Sequence, residues 1–167
     1  NSGTLSFSGL SDLLQTRGGQ GSGTINNTGN IINTTASTIF INTTATNLQS
    51  GGLVNAGTGA IRFDSGSTNY NGTQLMNGNI QVGVGTHNFN DGLTINGSGN
   101  LTVIGGATAT MNDVTLNKAL VLNSASTLSV LTGNTLTVAG GLTADTATND
   151  VTINGCLLYT SPSPRDS

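Results

Sequence analysis

The chain has 167 residues, enough for one domain with a continuous core, and its seven acidic and four basic side chains give a formal net charge of −3. So few cations exclude a nucleic-acid-binding domain, which needs a basic surface to neutralise phosphates, and a polybasic segment that binds anionic membranes. No apolar run approaches the length of a membrane span.

The N-terminal segment, residues 1–23, fits the rest of the chain poorly. Leu5–Phe7 alternates as a strand does, and Ser11 is a suitable N-cap for a single helical turn that runs to Gln15. A Gly-rich segment over residues 17–23 follows. We therefore expect residues 1–23 to form an irregular N-terminal coil or the end of a preceding module.

Residues 24–155 repeat one small unit, which is clearest between positions 93 and 142. The unit is a triplet in which two apolar residues flank a third residue that is mostly polar, and Gly or Asn follows soon after. There are six such triplets, at 93–95, 101–103, 114–116, 120–122, 128–130 and 136–138. Because side chains two apart lie on one face of a strand, each triplet predicts a short strand with one buried face. Gly, Asn, Thr and Ser supply 87 of the first 155 residues, but their regular alternation with Ile, Val and Leu favours order over disorder.

The turn-forming residues share one period. One series recurs about every 20–21 residues, as structural repeats do. It consists of Gly52, Gly72, Gly92, Asn112-Asp113, Gly133-Asn134 and Asn154-Gly155. Two further series of Gly, Asn, Ser and Asp follow it at the same interval. Each repeat therefore has three corners, and Asn residues at equivalent corners are expected to form ladders of amide hydrogen bonds.

The apolar residues between the corners fall into three columns. The first holds Ile39/Ile41, Ile61/Phe63, Ile80/Val82, Leu101/Val103 and Leu120/Leu122. The second holds Leu53, Leu75, Leu93/Ile95, Val114/Leu116 and Leu136/Val138. The third holds Leu48, Tyr70, Phe89, Met111, Leu128/Val130 and Val151.

Three strands and three corners per repeat predict an all-β fold, a three-faced parallel β-helix of about six coils of about 20–21 residues over 24–155. One coil cannot bury its own inward residues, whereas coils stacked about 4.8 Å apart bury a continuous column. Right-handed winding is expected from the general preference of parallel crossovers. An antiparallel sandwich would also have short, evenly spaced strands, but it does not require corner series in register over six repeats.

The C-terminal segment departs from the repeat. Residues 156–166 resemble the translated read-through of a transposase sequencing adapter over all eleven positions. This resemblance implies that residues 156–167 are a non-native tail, which we expect to be disordered. Without the tail, which holds the one cysteine, the chain has no disulfide framework or thiolate metal site. Because the sequence opens on Asn1, we expect it to be an internal fragment.

The Gly-, Asn- and Thr-rich phrases Gly23–Asn33, Gly52–Gly57, Gly99–Gly106 and Asn134–Gly141 resemble repeats of bacterial surface adhesins. The similarity is to filamentous-haemagglutinin-like exoproteins and autotransporter passenger domains, and it covers about residues 23–155. It implies an extracellular or outer-surface β-helix that acts as a rigid stalk or adhesive surface. The implied partners are host or environmental glycans, surface proteins, and neighbouring coils of a longer chain.

Few residues suggest chemistry, and no catalytic, cofactor-binding or metal-binding residue is predicted. Asp91, Asp113 and Asp145 fall at corners, where Asp, like Asn, is favoured as a turn residue. The Gly- and Asp-rich repeat of calcium-binding β-rolls is missing from the sequence. Arg62 and Asp64 are expected to form a solvated outer pair of little energetic value. An alternative function is that of a β-helical polysaccharide lyase or glycosidase, whose site would need paired carboxylates or a cation-bound base.

The aromatic and imidazole side chains are expected to be structural. Tyr70 and Phe89 share the third column, which predicts that their rings stack in the core. His87 is the only histidine, so no zinc site of the usual type can be built, and alternation with Phe89 turns it partly inward.

One outward row is more specific. If the residues between them point inward, a ladder of exposed threonines is predicted: Thr86, Thr108, Thr110, Thr127, Thr146 and Thr148. A flat array of Thr-x-Thr pairs resembles the ice-binding face of β-helical antifreeze proteins, which gives a second alternative function. Threonine is also simply a good exposed strand residue.

Overall fold

The structure is a computed structural model that describes residues 1–8, 13–15, 23–49, 52–64, 66–145, 152–155 and 157–159, the backbone alone for 13–15 and 157–159. Within these residues the fold is all-β, with no helix. The strands are β1 (Thr4–Phe7), β2 (Leu13–Gln15), β3 (Thr24–Asn27), β4 (Asn30–Asn33), β5 (Thr38–Asn42), β6 (Ala45–Leu48), β7 (Leu53–Phe63), β8 (Ser67–Tyr70), β9 (Thr73–Val82), β10 (Gly85–Phe89), β11 (Leu93–Asn96), β12 (Asn100–Val103), β13 (Ala107–Met111), β14 (Val114–Leu116), β15 (Ala119–Leu122), β16 (Thr127–Val130), β17 (Leu136–Val138), β18 (Leu142–Ala144), β19 (Thr152–Asn154) and β20 (Leu157–Tyr159).

The strands form three parallel lines, which define three faces of a solenoid. The first face contains β1, β4, β7, β9, β11, β14, β17 and β20, and the third face contains β3, β6, β8, β10, β13, β16 and β19. The second face contains β2, β5, the ends of β7 and β9, and then β12, β15 and β18. Six turns separate the seven strands of the third face, which confirms the predicted parallel β-solenoid and its size.

The first and second faces belong to one 13-stranded sheet, whereas the third is a separate seven-stranded sheet. The link lies in β7 and β9, which are 11 and 10 residues long and pass through the corner between the two faces as continuous strands. Two of the three predicted corners therefore separate sheets, and the third is a bend within one sheet.

The core consists of inward side chains stacked turn upon turn. Ile61 pairs with Ile80, Ile80 with Leu101, and Leu101 with Leu120. All four are fully buried. On the third face the same stacking joins Leu48, Tyr70, Phe89, Met111 and Val130. The first predicted column is therefore confirmed in register, and so is the third from Leu48 to Val130, while Val151 lies outside the described residues.

The second predicted column is wrong in its two earliest members. Leu53 and Leu75 are register partners, but Leu75 faces outward with 45% of its surface exposed. Val54 and Met76 occupy the buried positions instead. The phase of β9 is set by Gln74, whose buried side-chain amide donates to the carbonyls of Gln49 at 2.8 Å and Asn71 at 2.7 Å. A shift of one residue would expose that amide and leave those carbonyls without it.

The length of a turn varies more than the predicted period. On the third face Ser67 pairs with Thr86, and Thr86 pairs with Thr108, so the second of these steps is longer than the first. The final step, from Thr127 to Thr152, is longer still. Strands must stay in register to keep their core side chains stacked, so the corners accommodate the difference.

The corner between the first and second faces requires glycine where turns pack closely. Gly97 and Gly99 have φ values of +119° and +75°. A Cβ atom at these positions would lie 2.2 Å from the Met76 carbonyl oxygen and 2.5 Å from the Gly78 carbonyl oxygen of the preceding turn. Neither contact is sterically possible, and both φ values are unfavourable for residues with side chains.

Both end segments add strands to the stack. Leu5–Phe7 lies within β1 and pairs with β4, which confirms the predicted strand. Leu13–Gln15 forms β2 beside β5, so the helical turn predicted there is wrong for these residues, while Ser11 lies outside the described residues. In the C-terminal tail, the apolar Leu157–Tyr159 pairs with β17 as β20. The adapter origin of the tail stays a prediction.

Candidate functional site

The predicted threonine row lies on the outer side of the third face. Thr86, Thr108 and Thr127 are register partners on β10, β13 and β16, and Thr110 is two residues beyond Thr108. The alternating His87, Ala109 and Leu128 are fully buried, so the threonines point outward. Thr86 is exposed and the other three are half-buried. Thr146 and Thr148 lie outside the described residues.

A ladder of asparagines runs beside this row. The side-chain amide of Asn47 donates to Asn26 at 2.8 Å, that of Asn69 to Asn47 at 2.8 Å, and that of Asn88 to Asn69 at 2.9 Å. The column then continues as Thr110. The amides on this face are thus largely satisfied by one another, and a Thr-x-Thr pair is complete on β13 alone among the described strands.

Amide pairs also form at two corners, as predicted. Asn90 donates to Asn71 at 2.7 Å, and Asn117 donates to Asn96 at 2.7 Å. The longest ladder is nevertheless on a strand face, because the register there places Asn directly above Asn over four consecutive turns. The sequence prediction located this interaction at the corners only.

A groove of about 330 Å³ crosses three turns of the first face. Its floor contains the outward side chains of Thr94, Thr115 and Thr137, which are register partners on β11, β14 and β17. The corner that leads into these strands forms one wall. The remaining lining residues are Gly92, Leu93, Asp113, Val114 and Thr135.

The polar groups of the groove are available to a ligand. The three threonines are half-buried, and among the described residues their hydroxyls make no hydrogen bond. Asp113 is exposed, and one of its carboxylate oxygens accepts the backbone N–H of Thr135 at 2.6 Å. The sequence analysis did not predict this groove, because it interpreted each triplet only by its two apolar, inward residues. The available signal was the threonine in the middle of each of the three triplets that line the groove.

Arg62 and Asp64 form the predicted ion pair, but the pair is more covered than expected. Nε of Arg62 is 2.7 Å from Asp64 Oδ1, and the two side chains are only 25% and 17% exposed. The guanidinium also lies 5.5 Å from the centre of the Phe40 ring on the preceding turn, within the range of a cation–π contact. The predicted pair is therefore present, and it is partly rather than fully solvated.

His87 and Tyr70 form a buried polar contact inside the tube. Nε2 of His87 donates to the Gly83 carbonyl at 2.9 Å, which leaves Nδ1 facing the Tyr70 hydroxyl at 3.5 Å. Tyr70 stacks on Phe89 with ring centroids 4.3 Å apart and an interplanar angle of 8°, as predicted. His87 was expected to point partly inward, and it is fully buried.

Burial shifts the ionisation of both side chains. It lowers the pKa of His87, while the Gly83 carbonyl and the Asp64 carboxylate act in the opposite direction. It raises the pKa of Tyr70 well above its usual value, and interaction with the Thr68 hydroxyl offsets part of that shift. Because both side chains are fully buried, they have no access to a substrate.

Lys118 lies at the corner between β14 and β15, and its side chain is buried. Nζ donates to the carbonyls of Met76 at 2.9 Å and Gly78 at 3.2 Å, two turns earlier in the chain. Only 3% of the residue is exposed, and desolvation lowers the pKa of Lys118 to about 8. The Lys118 side chain therefore connects two non-adjacent turns by hydrogen bonds.

The described carboxylates do not gather into a metal site. Asp91 and Asp113 are exposed near the same corner of adjacent turns, where Gly92 N–H donates to the Asp113 carbonyl at 3.0 Å. Asp145 is exposed beyond β18. Within the described ranges there is no group of three His, Cys, Asp or Glu side chains that could hold a metal ion.

The described part of the chain contains no helix that could cross a bilayer. Comparison of the sequence with protein-family models, with curated proteins and with solved structures found no match.

Proposed function

We propose that this chain is part of an extracellular bacterial surface or secreted protein, in which the solenoid is a non-enzymatic stalk with an adhesive surface. The observation that carries this proposal is the register of uncharged polar side chains on the outer faces. Asparagines repeat along the third face, and threonines repeat along the first. Such rows repeat the same uncharged polar side chain turn after turn.

Repetition supports adhesion better than catalysis. Identical contacts one turn apart permit weak, multivalent binding to a repeating partner such as a glycan or a surface protein. A glycosidase would instead need two carboxylates at a defined separation, whereas Asp113 is the one acidic side chain among the described residues that line the groove on the first face. The stacked core and continuous ladders supply the rigidity of a stalk.

The proposal is tested by measuring adhesion of the folded full-length chain. Beads coated with the purified chain are applied to a glycan array and to surfaces coated with host extracellular proteins. The expected result is retention on at least one repeating glycan or protein surface, and soluble competitor of the same kind should release the beads. Heat-unfolded chain on matched beads is the control. Equal retention of folded and unfolded chain on every surface would overturn the adhesive function.

A further inference from the structure

We propose that the groove on the first face binds a linear, uncharged polysaccharide that lies along the solenoid axis. Thr94, Thr115 and Thr137 would contact successive sugar residues. This inference rests on the proposed adhesive function and specifies the site and the chemical class of the ligand. Its basis is the geometry, hydrogen bonding and charge of the groove.

Among the described residues, the three threonine hydroxyls of the groove make no hydrogen bond, and they are already ordered. They lie on central strands of a sheet, and β-branched side chains in strands have few rotamers to lose on binding. Each hydroxyl can both donate and accept a hydrogen bond, as a sugar hydroxyl can. The asparagines of the third face differ, since their amides already bind one another.

The spacing of the three threonines favours a linear ligand. Register partners on adjacent strands are about 4.8 Å apart, so the groove presents one threonine hydroxyl at each such step along the axis. This step is comparable with the advance of one residue in an extended sugar chain. A linear polysaccharide can therefore meet the three threonines with consecutive residues, whereas a compact ligand would reach one or two.

Charge also favours a neutral ligand. Among the described residues, the groove is lined by the Asp113 carboxylate and by no cation, and the whole chain has a net charge of −3. One oxygen of Asp113 is held by the Thr135 N–H, which leaves the other to accept a hydrogen bond from a sugar hydroxyl. An anionic polysaccharide would be repelled, so the groove favours a neutral one.

The lining also predicts weak binding per site. Among the residues whose side chains the structure describes, no aromatic ring lines the groove, and Leu93 and Val114 are nearly fully buried in its floor. Binding then depends on hydrogen bonds that compete with water, and each contributes little net free energy. Useful adhesion would come from many chains on one surface engaging a long polymer.

The test measures the affinity of the full-length chain for defined hexasaccharides by isothermal titration calorimetry. The neutral probes are cellohexaose, mannohexaose and chitohexaose, and the anionic probe is hexagalacturonate. The variants are Thr115→Val and the triple variant Thr94→Val/Thr115→Val/Thr137→Val, which keep the β-branched shape and remove the hydroxyls. The matched control is Thr102→Val, a half-buried outward threonine on the second face. Urea unfolding confirms that each variant is folded.

We expect at least one neutral hexasaccharide to bind, and hexagalacturonate to bind more weakly. Loss of one hydroxyl should weaken binding about 2- to 10-fold, and the triple variant should lose measurable binding. Thr102→Val should bind like the unaltered chain. A folded triple variant that keeps its affinity, or an equal loss in Thr102→Val, would overturn the groove assignment.

Two other outcomes separate this inference from the proposed function. If the unaltered chain binds none of the neutral probes, or binds hexagalacturonate at least as tightly, the groove assignment is wrong. The adhesive function then still stands if coated beads adhere to a protein or to another glycan surface. If neither assay detects binding, both proposals fail.

Discussion

Asp64 accepts a hydrogen bond from Arg62 at 2.7 Å, and this pair lies over Gly83 of the next turn. A Cβ atom on residue 83 would be 1.8 Å from Asp64 Oδ1 and 2.7 Å from Arg62 Nε. Gly83 is buried, so the added methyl group has no other space. We predict that Gly83→Ala displaces the ion pair and lowers the free energy of unfolding by about 1–2 kcal/mol.

A double-mutant cycle with Asp64→Ala tests the cause of this loss. If the methyl group clashes with the ion pair, Gly83→Ala should cost much less when Asp64 has already been truncated. The expected coupling is about 0.5–1.5 kcal/mol, measured by urea unfolding of the four proteins. Additive losses would show that the glycine is needed for another reason. Gly3→Ala, where a Cβ atom meets nothing closer than 3.8 Å, gives the cost of a methyl group placed away from the pair.

The buried His87 should make the fold less stable in mild acid. Burial lowers the pKa of His87 in the folded state, whereas a histidine in the unfolded chain has a pKa of about 6.5. As the pH falls through that value, the unfolded chain binds the proton first. The free energy of unfolding should therefore be greatest above about pH 6.5 and decrease as the pH falls towards the lowered folded-state pKa.

Urea unfolding between pH 7.5 and pH 5 measures this dependence, and His87→Gln provides the control. Gln cannot take up the proton but can still donate a hydrogen bond at this position. The variant should be less stable at neutral pH because the replacement disturbs the contact with Tyr70, yet its stability should change less over the same interval. A pH dependence identical in both proteins would assign the effect to other groups.

Lys118 should make the fold more stable as the pH rises on the alkaline side. Desolvation lowers the pKa of Lys118 to about 8 in the folded state, against about 10.4 in the unfolded chain. Between these values the unfolded chain binds more protons, so the free energy of unfolding should increase with pH. From pH 7.5 to pH 9.5 the expected gain is about 2 kcal/mol.

Lys118→Met is the matched variant, since it keeps an unbranched apolar stem and removes the ammonium. Its unfolding free energy should stay nearly constant over this pH interval. The series ends at pH 9.5 because burial raises the pKa of Tyr70, and tyrosine in the unfolded chain ionises near pH 10. Above that pH, Tyr70 would lower stability and obscure the lysine effect. A rise of equal size in Lys118→Met would refute the assignment.

The sequence predicted the solenoid well in strands where only one of the two alternating sets of side chains is apolar. In Ile61–Phe63 and Leu101–Val103 the apolar residues alternate without ambiguity, and both segments have the expected register. In Gln74–Met76 each phase contains an apolar residue, so the pattern did not determine which one is buried. The hydrogen bonds of the Gln74 side chain to the carbonyls of Asn71 and Gln49 were needed to decide. The contact with Gln49, on the preceding turn, is invisible in a local pattern.

The same limit explains the candidate sites. The burial of Lys118 depends on the carbonyl of Met76, which is far away in the chain and becomes a neighbour only after two turns are stacked. The groove likewise depends on how far the corner before β11, β14 and β17 projects from the outer face of these strands, which the sequence pattern does not give. By contrast, Thr94, Thr115 and Thr137 occur at matching positions in three triplets, so their alignment could have been predicted from the period alone.

The asparagine ladder on the third face should stabilise the fold in proportion to the number of amide bonds removed. Asn69 lies within the ladder and makes two of these bonds, one to Asn47 and one to Asn88, whereas Asn26 makes one. We predict that Asn69→Thr lowers the free energy of unfolding by about 1–2 kcal/mol and Asn26→Thr by about half as much, measured by urea unfolding. Thr is the natural residue of this column at position 110, so the replacement keeps strand propensity. Thr102→Ser, on another face, controls for changes at an outward strand position. Equal losses for Asn69 and Asn26 would mean that stability here comes from strand propensity and not from the ladder.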